Sequence, residues 1–269
     1  MKILLQKVDK ALSKTLIPLG NYVLNPYKGC LIGCDYCYVQ YNKGIKKIKD
    51  EWGEFVVVKE NFLENLENEL KNINDIERVL IGSTTEPFQI VEDQFQHTIS
   101  SIRLLKKYNI PFVLLTKQPF ISNYIEDINY SQKNLIYLTV NSEIIRKLFE
   151  KRSFPQEERI KAIEKLYKNN VNVIAYIGPF FPELTDVSEL FGKLNGKVAN
   201  VYIEAYHPKM GNFELIKSKL SDRKDIIEIL TKRDNYLNYW NNKEIEIEKI
   251  NEIYNYKLKF FITDYESYY

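Results

Sequence analysis

The sequence predicts an α/β fold built on a parallel sheet, and three observations carry that prediction. From about residue 54 onward, short β-branched runs alternate with segments of helical periodicity. The runs recur every ~25 to 35 residues, the size of one strand–helix unit. Five such runs follow residue 54, and a strand just before the cysteines brings the count to six. Strands that alternate with helices pair in parallel through right-handed crossovers.

The first expected strand, 22–25, stands directly ahead of the cysteines. The others are 78–82, 111–116, 135–140, 171–177 and 200–205. Between them, Leu63, Leu66 and Leu70 share one helical face, and Asn61 with Glu64 sits where a capping box begins. Phe95, Ile99, Ile102 and Leu105 share a second face. Ile160, Ile163 and Tyr167 share a third, after a start signal at 153–156 with Pro155 in the first turn. Residues 209–250 are charged and expected to be helical, 254–262 alternates like an edge strand, and the aromatic tail 265–269 is expected to dock or fray. Six units fit an open doubly wound sheet or a partial barrel, and periodicity does not choose between them.

Composition narrows the function classes. The chain has 269 residues, 45% of them hydrophobic, enough for a sizeable core. Lys and Arg number 38 against 36 Asp and Glu, so no whole-molecule charge draws it to nucleic acid or to an anionic membrane. The N-terminus lacks a signal-peptide pattern, and no run approaches the roughly 20 apolar residues of a membrane span. The expected location is cytoplasmic. The three cysteines fall within eight residues. A disulfide framework needs pairs spread along the chain; clustered thiols suit metal or redox chemistry.

In either parallel architecture, chemistry collects at the carboxyl ends of the strands. The residues there are Ser83, Thr84, Thr85 and Glu86 after the second strand and Lys117 after the third. Asn141, Ser142 and Glu143 follow the fourth, Gly178 to Phe180 the fifth, and Tyr206 and His207 the sixth.

The thiols lie in Asn25-Pro-Tyr-Lys-Gly-Cys30-Leu-Ile-Gly-Cys34-Asp-Tyr-Cys37-Tyr38. Thiolates are soft ligands that suit iron–sulfur clusters or zinc. Structural zinc takes four protein ligands, and a fourth would have to come from the distant His97 or His207. A cubane cluster on three cysteines instead leaves one iron open for a small molecule.

The Cys-x3-Cys-x2-Cys spacing after the first strand, with Tyr36 before the third cysteine, resembles the radical SAM superfamily. The longer motif around it, the segment Ile81-Gly-Ser-Thr-Thr-Glu-Pro-Phe-Gln89, Thr116-Lys117 and the stretch 149–159 are similar to the group related to spore photoproduct lyase. The likeness runs from about residue 20 to about 185. It implies a partial (β/α)6 TIM-like barrel over 1–205 and a C-terminal α-rich extension, 206–269, packing on it. It also implies a [4Fe-4S] cluster on Cys30, Cys34 and Cys37 that reductively cleaves S-adenosyl-L-methionine to a 5′-deoxyadenosyl radical.

The resemblance assigns site residues one by one. Tyr36 would lie near the adenine. Thr84, Thr85 and Glu86 stand where most members carry Gly-Gly-Glu and would receive the methionyl ammonium. Lys117 would pair with the cofactor carboxylate, as would Arg152 or Arg159. Asn141 and Ser142 would reach the ribose hydroxyls, a helix cap for 143–150 being the competing role. Tyr38 occupies the position of a tyrosine implicated in hydrogen-atom return, and His207 is placed for a substrate role, whereas His97 reads as structural. The lyases also carry a separate cysteine donor, and this sequence has no fourth cysteine, which argues against thymine-dimer repair by that route. The implied partners are a small-molecule or peptide substrate and an electron donor such as flavodoxin or ferredoxin. Nucleic-acid modification is the alternative, supported by the local run Lys43, Lys46, Lys47 and Lys49. A non-catalytic iron–sulfur accessory protein is a third reading.

Overall fold

The computed structural model describes residues 1–208 and 213–262, so the expected tail at 265–269 and the start of the charged segment at 209–212 lie outside the described residues. Eleven strands are described: β1 (Lys2–Gln6), β2 (Leu12–Lys14), β3 (Tyr22–Leu24), β4 (Tyr27–Lys28), β5 (Phe55–Lys59), β6 (Val79–Ile81), β7 (Phe112–Thr116), β8 (Leu135–Thr139), β9 (Val173–Phe180), β10 (Asn200–Ala205) and β11 (Lys257–Phe261). Eight form one curved sheet in the order β11-β10-β9-β8-β7-β6-β3-β2. All its pairings are parallel except β2 with β3, and its two edges remain apart, so the barrel is partial. The six expected strands are β3, β6, β7, β8, β9 and β10, in sequence order across the sheet. The alternating 254–262 segment supplies β11, which pairs in register from Asn200↔Lys257 to Glu204↔Phe261.

A smaller sheet, β1-β5-β4, was not expected. Its central strand is the run Phe55-Val-Val-Val-Lys59, parallel to β1 and antiparallel to β4. It flanks the cysteine loop, with Val39, Ile45, Phe55 and Val57 forming a cluster against which Cys37 and Trp52 pack.

The large sheet is buried on both faces, the usual state of a parallel sheet. Its outer face carries Val79, Ile81, Phe112, Leu114, Ile136, Leu138, Val173, Ala175, Val201 and Ile203 against the helices. These include Phe62–Asn72, His97–Lys107, Gln156–Lys168 and Val187–Leu194. The inner face carries Leu80, Val113, Tyr137 and Ile174, with Leu115, Tyr176 and Tyr202 around them. Period-two alternation therefore splits each strand between an aliphatic outside and an inside that turns polar toward the carboxyl ends.

Some local signals act differently from expectation. The Asn61 amide does not cap its helix; it both accepts from and donates to the Val8 backbone at 2.8 Å, tying the N-terminal segment down. Pro155 occupies the cap position itself, and Gln156 is the first helical residue. The C-terminal segment forms helices at Phe213–Lys219, Lys224–Thr231 and Arg233–Tyr254. Trp240, fully buried, anchors the last of these against Phe180 and Phe260.

Candidate functional site

The cysteine loop is shaped by close backbone approach. Gly33 has φ +64°, and a Cβ there would stand 2.9 Å from the Gly53 Cα. Only glycine meets both demands cheaply. The loop crosses the mouth of the barrel and brings Cys30, Cys34 and Cys37 around one cavity of about 150 Å³. Tyr36, Tyr38, Trp52, residues 82–86, Lys117 and Thr139 are among its other lining residues. Cys30 and Cys34 are buried and Cys37 is half-buried.

Burial pushes all three thiols up, Cys37 to about 12 with further repulsion from Cys30. Thiolates here therefore need a cationic centre to hold them, which is what metal ligation supplies. Among the described residues no three His, Cys, Asp or Glu side chains are arranged to hold a single metal ion. The thiols instead surround a space. The Trp52 indole N–H, buried in the wall, finds no acceptor among the described residues. Three soft donors around a cavity, with an orphan N–H beside them, fit a multi-atom cluster bearing acceptor sulfides.

The loop after β6 forms the opposite wall. Gly82, at φ +84°, lets the chain turn where a Cβ would lie 2.6 Å from the Leu115 carbonyl. The Thr84 N–H donates to Asn25 Oδ1 at 3.1 Å, and the Thr85 hydroxyl donates to the Gly29 carbonyl at 2.5 Å. Both threonines thus fasten the β6 loop to the cysteine loop. Glu86 is buried, and its oxygens accept from the Phe88 N–H at 3.0 Å, the Thr116 hydroxyl at 2.5 Å and the Lys117 N–H at 2.8 Å. Burial raises its carboxyl, and these donors offset only part of that rise. Glu86 staples the ends of β6 and β7 while lining the cavity.

Sequence reasoning missed the residue that organises the floor. Glu150 is completely buried and accepts from five side chains. They are the Tyr36 hydroxyl at 2.5 Å, Lys117 Nζ at 3.4 Å, Asn141 Nδ2 at 2.8 Å, the Ser153 hydroxyl at 2.8 Å and Arg159 Nη2 at 2.6 Å. Burial alone would raise its carboxyl, but the Arg159 and Lys117 charges overcome it and hold it well below the usual range. Lys117 also sits 5.5 Å over the Tyr36 ring.

The other sequence-chosen residues separate. Tyr36, Tyr38, Thr84, Thr85, Glu86 and Lys117 come together on the cysteine cavity. Asn141 lies beneath it, joined to Glu150 and to the Gly178 carbonyl, with Oδ1 unpartnered among the described residues. Ser142 caps the helix Glu143–Phe149, accepting from the Ile145 N–H. Arg152 sits outside the cavity and braces the loop, donating to the carbonyls of Leu31 and Gly53 and pairing with Glu54. Arg159 is buried under the floor. His97 stacks between Tyr27 and Phe62, its ring nitrogens 3.0 Å from the Phe95 carbonyl and 2.9 Å from that of Lys59.

A second cavity of about 320 Å³ opens beside the first, inside the barrel. Tyr36, Cys37, Tyr38, Leu115, Lys117 and Thr139 border both. Its far wall holds Tyr137, Tyr176, Glu204, Tyr206 and His207. Tyr38 donates to the Ser83 carbonyl at 3.2 Å and so stands on the boundary. Tyr176 donates to Glu204, and His207 packs edge-on against Tyr236 at 6.3 Å.

A curved parallel sheet with a thiol-lined cavity at its carboxyl ends has the layout of an α/β-barrel enzyme. Residues 24–194 match the family model of the Radical SAM superfamily, and the chain belongs to that superfamily as an enzyme of the radical SAM class. An uncharacterised protein of Methanocaldococcus jannaschii is 28% identical over 252 residues, 86% of this chain and 92% of its own length. An uncharacterised protein of Mycobacterium tuberculosis is 26% identical over 194 residues, 66% of this chain and 55% of its own. The fold is that of spore photoproduct lyase. A single-site mutant of that enzyme superposes with TM-score 0.70 at 16% identity, covering 96% of this chain and 82% of the other. A double mutant with bound AdoMet and dinucleoside spore photoproduct gives 0.68 at 13%, covering 97% and 82%.

Proposed function

We propose that the chain binds a [4Fe-4S] cluster on Cys30, Cys34 and Cys37, cleaves S-adenosyl-L-methionine there, and acts on a substrate held in the adjoining tyrosine-lined cavity. The carrying observation is the pair of cavities, one ringed by three thiols and opening directly onto the other. When bound, cluster and cofactor supply one-electron cleavage to methionine and a 5′-deoxyadenosyl radical able to take a hydrogen atom from the substrate.

The protein's own residues set the frame. Trp52 offers its N–H to an acceptor on the cluster. The 83–86 loop presents backbone carbonyls to an ammonium, with Glu86 adding negative charge. Lys117, held by Glu150, offers a cation to a carboxylate, and Tyr36 is fixed by the same anion as a platform for an adenine. Tyr38 lies between the cavities, suited to hydrogen-atom transfer. Asn141 supports the frame from beneath through Glu150, its ribose role needing the unpartnered oxygen to be uncovered, whereas Ser142 serves its helix cap and Arg152 the outside of the loop.

In this reading the chain works as a core barrel, 1–205, and an extension, 206–269. Lys219 of the extension reaches back to pair with Asp35 between the second and third cysteines. No helix among the described residues is long and apolar enough to cross a membrane, and a cytoplasmic setting suits oxygen-sensitive chemistry. Anaerobic reconstitution, iron and sulfide analysis, dithionite reduction and an assay for 5′-deoxyadenosine test the proposal. A reduced cluster that leaves the cofactor intact would favour the accessory-protein reading.

A nucleic-acid substrate is the second reading. It rests on the likeness to a lyase bound to a dinucleoside and on the exposed Lys43, Lys46, Lys47 and Lys49. Salt-sensitive binding of duplex DNA would support it, and no binding at low salt would count against it.

A further inference from the structure

The second cavity carries information about its ligand. Three features of its far wall bear on charge. Glu204 stands on the inner face of β10, and its one side-chain hydrogen bond among the described residues comes from the neutral Tyr176 hydroxyl. No Lys, Arg or His among the described residues lies within ion-pair distance of it. The cation that shares the cavity, Lys117, is turned to Glu150. Tyr206 borders the same space, and its hydroxyl, buried in the ligand-free protein, finds no partner among the described residues. A buried hydroxyl left this way costs stability unless a ligand satisfies it. Tyr137 and Tyr176, packed edge to face at 5.8 Å, supply aromatic wall around the carboxylate.

We infer that this cavity recognises an organic ammonium group, with Glu204 as counter-ion, Tyr206 as a neutral acceptor and the tyrosine rings as aromatic wall, so that the substrate is an amine-bearing small molecule rather than an anion. An ammonium gains from a carboxylate, from a hydroxyl oxygen and from aromatic faces at once. An anion would meet Glu204, and the cation bordering the space, Lys117, is already paired with Glu150. Burial raises the Glu204 carboxyl, the Tyr176 hydrogen bond and the more distant Lys117 charge offset part of that rise, and a bound cation would hold it ionised. The volume, about 320 Å³, falls at the small end of ligand sites, usually ~300 to 1,000 Å³. The inference rests on reading the neighbouring cavity as the cofactor's.

Three probes of nearly equal shape test it at neutral pH: benzylamine, benzyl alcohol and benzoate. Binding to the anaerobically reconstituted protein is measured by calorimetry without reductant, so the outcome does not depend on cofactor cleavage. The expected order is benzylamine, then benzyl alcohol, then benzoate, with at least about tenfold between the cation and the neutral probe. Glu204→Gln should erase that preference. Tyr176→Phe, which keeps the charge, should preserve it. Equal binding of amine and alcohol, tighter binding of benzoate, saturation by thymidine but not by benzylamine, or no saturable binding of benzylamine would each overturn the assignment.

Discussion

The two cavities share a wall and are finished in opposite ways. Around the cysteine cavity, each buried ion has protein partners: Glu86 holds three donors, Glu150 five, and Arg159 and Lys117 both turn to Glu150. In the inner cavity, Glu204 has a phenol and the Tyr206 hydroxyl has nothing among the described residues. A site that must hold a group in one position benefits from side chains locked before it arrives. A site that must admit and release a ligand leaves its polar atoms to that ligand. The contrast yields predictions that differ in sign between the two sides.

The largest effect should come from the thiols. Cys34→Ala should reduce iron content and 5′-deoxyadenosine formation to background, read by metal analysis and chromatography. Retention of a full, redox-active cluster would break the assignment of the first cavity.

Next comes Glu150. Removing it by Glu150→Ala strands Arg159 without its counter-ion in the interior, which typically costs about 3–5 kcal/mol. Thermal unfolding of the apoprotein should register it as a fall of roughly 10 °C. Glu150 also sets an acid limit. Its carboxyl titrates lower in the folded protein than in the unfolded chain, so the unfolded state takes up the proton first as pH falls. Its contribution is complete above the ordinary carboxyl range, near pH ~4.3, and is lost as pH drops through the depressed value. Glu204 has the opposite sign. With its carboxyl raised, its contribution is complete below the ordinary range and is lost as pH rises through the raised value. Glu204→Gln should therefore gain on the parent protein as pH rises from 4 to 8, whereas Glu150→Gln should gain on it only as pH falls below about 4. Parallel pH–stability curves would remove the contrast.

Much of this was legible in the sequence, and the exceptions have physical causes. The six core strands show because their outer faces are aliphatic and β-branched, with turn residues at their ends. The cysteine loop shows because its ligands are contiguous. Glu150 does not show. It stands in Phe149-Glu-Lys-Arg152, a charged stretch that reads as surface, and its burial depends on Arg159 arriving from the next helix. The small sheet was missed because Phe55–Lys59 pairs with the chain's first residues, outside the strand–helix rhythm. Asn61 has the spacing of a cap, and spacing cannot reveal that Val8 competes for its amide. Tyr137, Tyr176 and Glu204 sit on the inner face by simple alternation, but only the folded sheet shows them bordering one space.

The smallest effect is also the most discriminating. Tyr206→Phe removes a buried hydroxyl without changing the ring that stacks on Phe181 at 4.3 Å. In an interior finished for stability this would break a hydrogen bond and cost about 1 kcal/mol. Here no bond among the described residues is lost, and a desolvated hydroxyl disappears. The ligand-free variant should therefore be more stable by about 1 kcal/mol, a rise in melting temperature of roughly 2–4 °C. Its affinity for benzylamine should fall by several-fold at the same time. Stability and binding moving in opposite directions on loss of one oxygen is the signature of a group kept for a ligand. If stability falls instead, Tyr206 belongs with Glu86 and Glu150 as part of the frame, and the inner cavity loses its distinction from the outer one.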